Sequence, residues 1–196
     1  MRIYRRSLAW IAILLPLTLS GCGYNRLVSL EEDVSAAWAQ VENVYQRRMD
    51  LIPNLVETVK AYAAHEKETF AAVTEARSQA GGVMNIDENL LNNPEAFARF
   101  QQSQDSLGSA LQRLLVITEN YPELKANQNF LALQDQLEGT ENRIAVERMR
   151  FNEAVRAYNT LIRRFPQMII ARITGFEAKP YFESTSGAEV APKVEF

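Results

Sequence analysis

Few residues in this 196-residue chain are of types that do chemistry, and one Cys and one His are among them. So small a supply excludes a disulfide framework and a multi-thiol zinc site. His65-Glu66-Lys67-Glu68 opens like a zinc-protease helix motif. Thr69 and Phe70 stand where the second His would be needed, and Glu57, eight residues earlier, would raise the ligand count only to two. No metal site is expected, and His65 reads as a structural or exposed helix residue. Glu31-Glu32-Asp33 complements the dipole at a helix start and lacks the alternating oxygens of a calcium loop. Arg143, Arg148, Arg150, Arg156, Arg163 and Arg164 read as a solvated or internally paired helix face, with no nucleic acid as partner. Two polar sets remain. Arg47, Arg48, Asp50 and Asn54 surround Pro53, and Asn152 and Asn159 stand seven apart beside Phe151 and Tyr158. If their helices are antiparallel neighbours, these groups can pair. The leading reading is a buried polar network that fixes helix register, and the alternative is a binding notch at a helix irregularity.

Cys22 has a different chemistry. Arg2, Arg5 and Arg6 precede a twelve-residue apolar run, Leu8 to Leu19, broken by Pro16. As helix that run reaches about 18 Å, short of a hydrocarbon core of about 30 Å, so it reads as a signal-peptide core. Leu19-Ser20-Gly21-Cys22 then resembles the bacterial lipobox, in which the thiol is acylated and the chain cleaved before it. Residues 1–21 are thus expected to be a lipoprotein signal peptide, with residues 22–26 the lipidated N-terminus and a short linker. Several acyl chains anchor stably where one is marginal. With Arg2, Arg5 and Arg6 removed from a chain of net charge −3, the mature protein stands at −6, so lipid rather than charge must hold it to the membrane. Gly23 in place of Asp points, by resemblance to Gram-negative lipoproteins, to the outer membrane and its periplasmic face.

The elements that position these residues are helical. Hydrophobic residues make up 47% and charged residues 23%, enough to bury a core, while 8 Gly and 7 Pro are too few for a turn-rich β fold. Apolar positions step by three and four through Leu27, Leu30, Val34, Ala37, Val41 and Val44, widened by Trp38 and Tyr45. The seam resumes at Leu51, Leu55, Val59, Tyr62, Phe70 and Val73, with a kink or short break expected at Pro53 and an end at Gly81-Gly82. A second helix is expected over 95–120, opened by Asn92-Asn93-Pro94, with Phe97, Phe100, Leu107, Leu111, Leu114 and Leu115 inward. A third starts near Asn127 or Asn129, with a seam from Phe130 to Phe165 that is locally polar at Thr140 and Glu147. One or two turns over 168–173 cap the bundle. The fold class is all-α: an antiparallel up-and-down four-helix bundle over 27–183, its first helix kinked near Pro53 and extended as a coiled-coil-like stalk. Residues 184–196 are expected to be a disordered tail.

Several strings stand together in order. They are Tyr24-Asn25-Arg26-Leu27-Val28, Arg47-Arg48-Met49-Asp50-Leu51-Ile52-Pro53-Asn54-Leu55, Glu119-Asn120-Tyr121-Pro122-Glu123-Leu124, Gly139-Thr140-Glu141-Asn142-Arg143, Tyr158-Asn159-Thr160, Phe165-Pro166, Gly175-Phe176 and Pro180-Tyr181-Phe182. In this order and spacing the chain resembles the LemA family of bacterial envelope proteins from Tyr24 to Glu183. The resemblance implies an antiparallel helical bundle, no established catalytic activity, and partners among envelope proteins, membrane proteases included. Family members usually carry an N-terminal membrane anchor, and here a lipobox takes that place.

The expected function is therefore that of a non-enzymatic, membrane-anchored envelope lipoprotein acting as scaffold or adaptor, with no cofactor. The alternative is a ligand-binding or enzymatic bundle using the polar region around Arg47, Asp50 and His65.

Overall fold

The computed structural model describes residues 2–86 and 90–183, with side chains described within 23–84 and 90–183. The thiol of Cys22 and the tail 184–196 lie outside them. The described chain is helical: α1 (Arg2–Lys60), α2 (Lys67–Ile86), a 3-10 turn (Leu90–Asn92), α3 (Pro94–Thr118), α4 (Pro122–Lys125), α5 (Gln128–Ile162) and α6 (Gln167–Thr174). No strand occurs among the described residues. Among them, too, no helix is long and apolar enough to cross a membrane.

Local chemistry sets the helix starts. Asn93 precedes Pro94, and its side chain accepts from the backbone N–H groups of Glu95 and Ala96. Asn127 does the same for Asn129 and Phe130 at the head of α5. Each such cap is worth about 1 kcal/mol. At the other end of α6, Gly175 takes φ 81°, a left-handed conformation open to glycine at little cost, and its N–H bonds to the Ala171 carbonyl.

Four expectations are corrected. First, no break falls at Pro53, which lies within α1, and the chain breaks at residues 61–66 instead. Second, α2 runs through Gly81-Gly82. A Cβ on Gly81 would come within 3.1 Å of the Met49 Cε, so this glycine serves the close approach of α2 to α1 rather than a helix end. Third, residues 22–26 are helical and continuous with α1, where a linker was expected; Gly23 is buried, and a Cβ on it would meet the Ile170 side chain at 3.0 Å. Fourth, Phe165 and Tyr62, both expected on the apolar seam, are exposed, because each falls just beyond the end of its helix.

Two apolar cores form. One gathers Leu27, Leu30, Val34, Trp38, Val41 and Tyr45 of α1 with Phe97, Phe100, Phe151, Val155, Tyr158 and Phe182. The other gathers Met49, Ile52, Leu55 and Val59 with Val73 of α2, Leu107, Leu111 and Leu114 of α3, and Phe130 and Leu137 of α5. Side-chain pairs give the direction of travel. Tyr45 meets Arg148 and Arg48 meets Glu141, so numbers fall along α5 as they rise along α1.

Candidate functional site

Between the two cores lies a polar layer. Arg48, Gln104 and Thr140 are buried, yet each sits on an otherwise apolar seam: Arg48 between Tyr45 and Ile52, Gln104 between Phe100 and Leu107, Thr140 between Leu137 and Ile144. Thr140 bonds back to the Gln136 carbonyl at 2.7 Å, a local solution open to any helical threonine. Arg48 needs partners from other helices. Its Nη1 donates to both oxygens of Glu141 at 3.2 and 3.4 Å. Its Nη2 donates to the Gln104 carbonyl at 3.2 Å and to the Gln104 side-chain oxygen. The guanidinium also lies 5.0 Å from the Tyr45 ring centre.

Arg148 approaches the same ring, its guanidinium 5.7 Å from the ring centre. Its Nε donates to the Tyr45 hydroxyl at 2.6 Å, and its Nη2 pairs with Asp105 at 3.2 Å. Burial pushes the Tyr45 hydroxyl pKa up, opposed by the positive charges of Arg148 and Arg48. Beside this layer a cleft of about 630 Å³ opens between α3 and α5, lined by Arg48, Gln104, Asp105, Gly108, Leu137 and Glu141 among others. The Nε of Arg48 and the Nε2 of Gln104 are buried without a hydrogen-bond partner. The arrangement can bind and orient; it offers hydrogen-bond donors and carboxylates. Among the described residues no group of three His, Cys, Asp or Glu is placed to hold a metal ion.

The second feature is an extended strap, Phe176 to Glu183, which returns along α5 after α6. Three side-chain amides hold its backbone, each by two bonds. Asn159 donates to the Lys179 carbonyl at 2.8 Å and accepts from the Lys179 N–H at 3.0 Å. Asn152 treats Phe182 the same way, at 2.9 Å in both directions. Gln101 on α3 holds Glu183 at 2.9 and 3.1 Å. The spacing explains the match. Seven helical residues cover about 10.5 Å, and three extended residues about 10 Å. The Tyr158 hydroxyl adds a bond to the Glu177 carbonyl at 3.0 Å. Phe182 enters an aromatic cluster with Trp38, Phe97, Phe100 and Phe151, and Arg148 stacks 4.8 Å from its ring centre. Lys179, also buried, reaches Glu31 at 3.0 Å and Asn92 at 2.6 Å.

The polar residues singled out in the sequence therefore do not form one group. Arg48 points inward, while Arg47, Asp50 and Asn54 are exposed, and Asp50 accepts from Gln46 one turn away. Asn152 and Asn159 clamp the strap and do not reach the Pro53 region. His65 is exposed in the connection after α1, with about 20 Å of helix between Arg47 and Lys60, so Arg47, Asp50 and His65 do not converge. Gln101, Gln104 and Lys179 are not singled out by the sequence, and Arg148 reads there only as one member of a solvated or internally paired helix face. The available signal was a polar side chain at a seam position, as for Gln104 between Phe100 and Leu107.

The LemA family model matches residues 37–196. The magnetosome protein MamQ of Magnetospirillum gryphiswaldense is 30% identical over 174 residues, which cover 81% of this chain and 64% of that protein. The magnetosome protein MamQ 1 of Paramagnetospirillum magneticum is 29% identical over 175 residues, covering 82% and 64%. The protein LemA of Metamycoplasma hominis is 23% identical over 141 residues, covering 72% and 60%. The chain thus spans a little under two thirds of the length of these curated relatives.

Proposed function

The chain belongs to the LemA family, and from that premise we propose that it is a non-enzymatic, lipid-anchored envelope protein that serves as scaffold or adaptor for other envelope proteins. Cys22 carries the lipid, on the periplasmic face and at the outer membrane of a Gram-negative host. The body is an up-and-down four-helix bundle in which α1 and α5 form the long pair. The opposed pairing of Tyr45 with Arg148 and of Arg48 with Glu141 supports that architecture.

The observation that carries this reading is the junction at Gly23. The apolar run and Leu19-Ser20-Gly21-Cys22 lead directly into a residue already buried against Ile170. A lipid on Cys22 would seat the folded body on the bilayer with no tether between, as suits a protein that presents a fixed surface to neighbours in the membrane.

A second reading, a ligand-binding bundle, draws on the α3–α5 cleft with its two unpartnered buried nitrogens, on Arg48 and Gln104. One experiment separates the two. Crosslinking of intact cells followed by recovery of the full chain should yield an envelope protein joined to the wild type and equally to Gly108→Leu, which fills the cleft. Recovery of a small molecule on the uncrosslinked wild type by native mass spectrometry, lost in Gly108→Leu, with no protein partner, would favour the ligand reading.

A further inference from the structure

Of the exposed large apolar side chains, four fall in one short stretch: Phe165 (78% exposed), Met168, Ile169 and Ile173 (79% exposed). In a water-soluble body, such a cluster marks a surface that something covers. Its position indicates what. α6 packs on α1 at the residue following Cys22, through Ile170 against Gly23, and Tyr24 meets Phe176 at the start of the strap, ring centres 6.0 Å apart. Lys179, farther along the strap, has already reached the level of Glu31. α6 is thus the part of the folded body nearest the apolar N-terminal run.

The charges within residues 163–174 are all positive, with Glu177 following at the start of the strap. Arg26, Arg163, Arg164 and Arg172 are all exposed beside these apolar groups. An otherwise acidic chain therefore carries four cations at this end. Apolar side chains flanked by exposed arginines are the composition of an element that lies in a lipid–water interface, where the cations meet phosphate headgroups.

We propose that α6 and the turn before it, residues 163–173, form a bilayer contact: Phe165, Met168, Ile169 and Ile173 enter the interface beside the anchor, and the four arginines bind lipid phosphates. The occupant is the lipid surface itself, not a protein. This rests on the reading that the chain is anchored at Cys22. The contact gives the anchor an orientation. A lipid at Cys22 fixes where the body sits, and a second contact alongside holds the α1–α5 axis in one attitude to the membrane.

The test uses the full chain, expressed in cells, processed there, and reconstituted into vesicles of phosphatidylethanolamine and phosphatidylglycerol containing a diazirine phospholipid. After illumination, tryptic peptides are scored for lipid adducts. Residues 165–172, bounded by Arg164 and Arg172, should carry adducts, and the peptide holding Val116, equally apolar and exposed but on α3, should carry none. The double variant Ile169→Glu, Ile173→Glu should lose the adducts while staying with the vesicles on flotation. A chain that floats with the vesicles but labels 165–172 no more than the Val116 peptide overturns the contact and leaves the anchor intact. A wild-type chain that does not float removes the anchor reading, and the contact with it.

Discussion

Arg77 on α2 donates from its Nε to the main-chain carbonyl of Met49 on α1, at 3.1 Å. Pro53 is the reason. It has no N–H, so the Met49 carbonyl four residues earlier loses its helical donor. An arginine from the next helix takes that donor's place, and α1 continues unbroken. Arg77→Ala should therefore cost about 1–3 kcal/mol, the cost of leaving a partly buried carbonyl unpaired. In a Pro53→Ala background the helix supplies its own donor, and the same Arg77→Ala change should cost less. Urea midpoints of the four combinations, in a chain lacking residues 1–22, measure this. Coupling above about 0.5 kcal/mol is expected, and additivity would refute the link.

Asn159 offers a second measurement. Replacing it by Leu strands the buried Lys179 N–H and carbonyl, each costing about 1–3 kcal/mol. Asn159→Leu should lower the urea midpoint strongly, and Arg47→Ala, at an exposed position, should stay within about 0.5 kcal/mol. The two changes should add without coupling, because Arg47 takes no part in the clamp. A coupling comparable with that between Arg77 and Pro53 would contradict the geometry.

The helices and their caps were legible because their signals are local. Asn93-Pro94 and Asn127 cap helices as side-chain chemistry requires, and seams such as Leu27 to Val41 declare their faces by period alone. The break at 61–66 was not legible: Ala61-Tyr62-Ala63-Ala64-His65-Glu66 contains neither Gly nor Pro, and tertiary packing of Ala63 and Phe70 against the core turns the chain there. Pro53 misled for the converse reason, since its remedy lies at Arg77, 24 residues on. Asn152 and Asn159 were recognisable as a pair by their two-turn spacing. Their partners were not, because the strap carries no periodicity and its backbone, rather than any side chain, is what they hold.

Alkali should destabilise the fold through its buried tyrosines. Burial, with the negative charges of Glu31 and Glu177 adding to it, raises the Tyr158 pKa well above the ordinary value near 10, and burial raises that of Tyr45. A group whose folded pKa is raised gives stability that is full below the unfolded pKa and lost as pH climbs toward the folded one. Above pH 10 the unfolded chain sheds these protons first, so stability falls as pH climbs, by at most about 1.4 kcal/mol per pH unit for each tyrosine still protonated in the fold. Tyr158→Phe should remove one such contribution and flatten the decline between pH 10 and 11. An unchanged slope would mean Tyr158 ionises equally in both states.

The central claim is that Cys22 holds the protein to the membrane through lipid. Cells producing the full chain or its Cys22→Ser variant are fed an alkyne analogue of palmitate, and the recovered protein is scored for label and for intact mass. The wild type should be labelled and shortened to begin at Cys22. The variant should be unlabelled and retain residues 1–21, or be degraded. Equal labelling of the two, or a wild type that keeps its leader and carries no acyl mass, would contradict the claim.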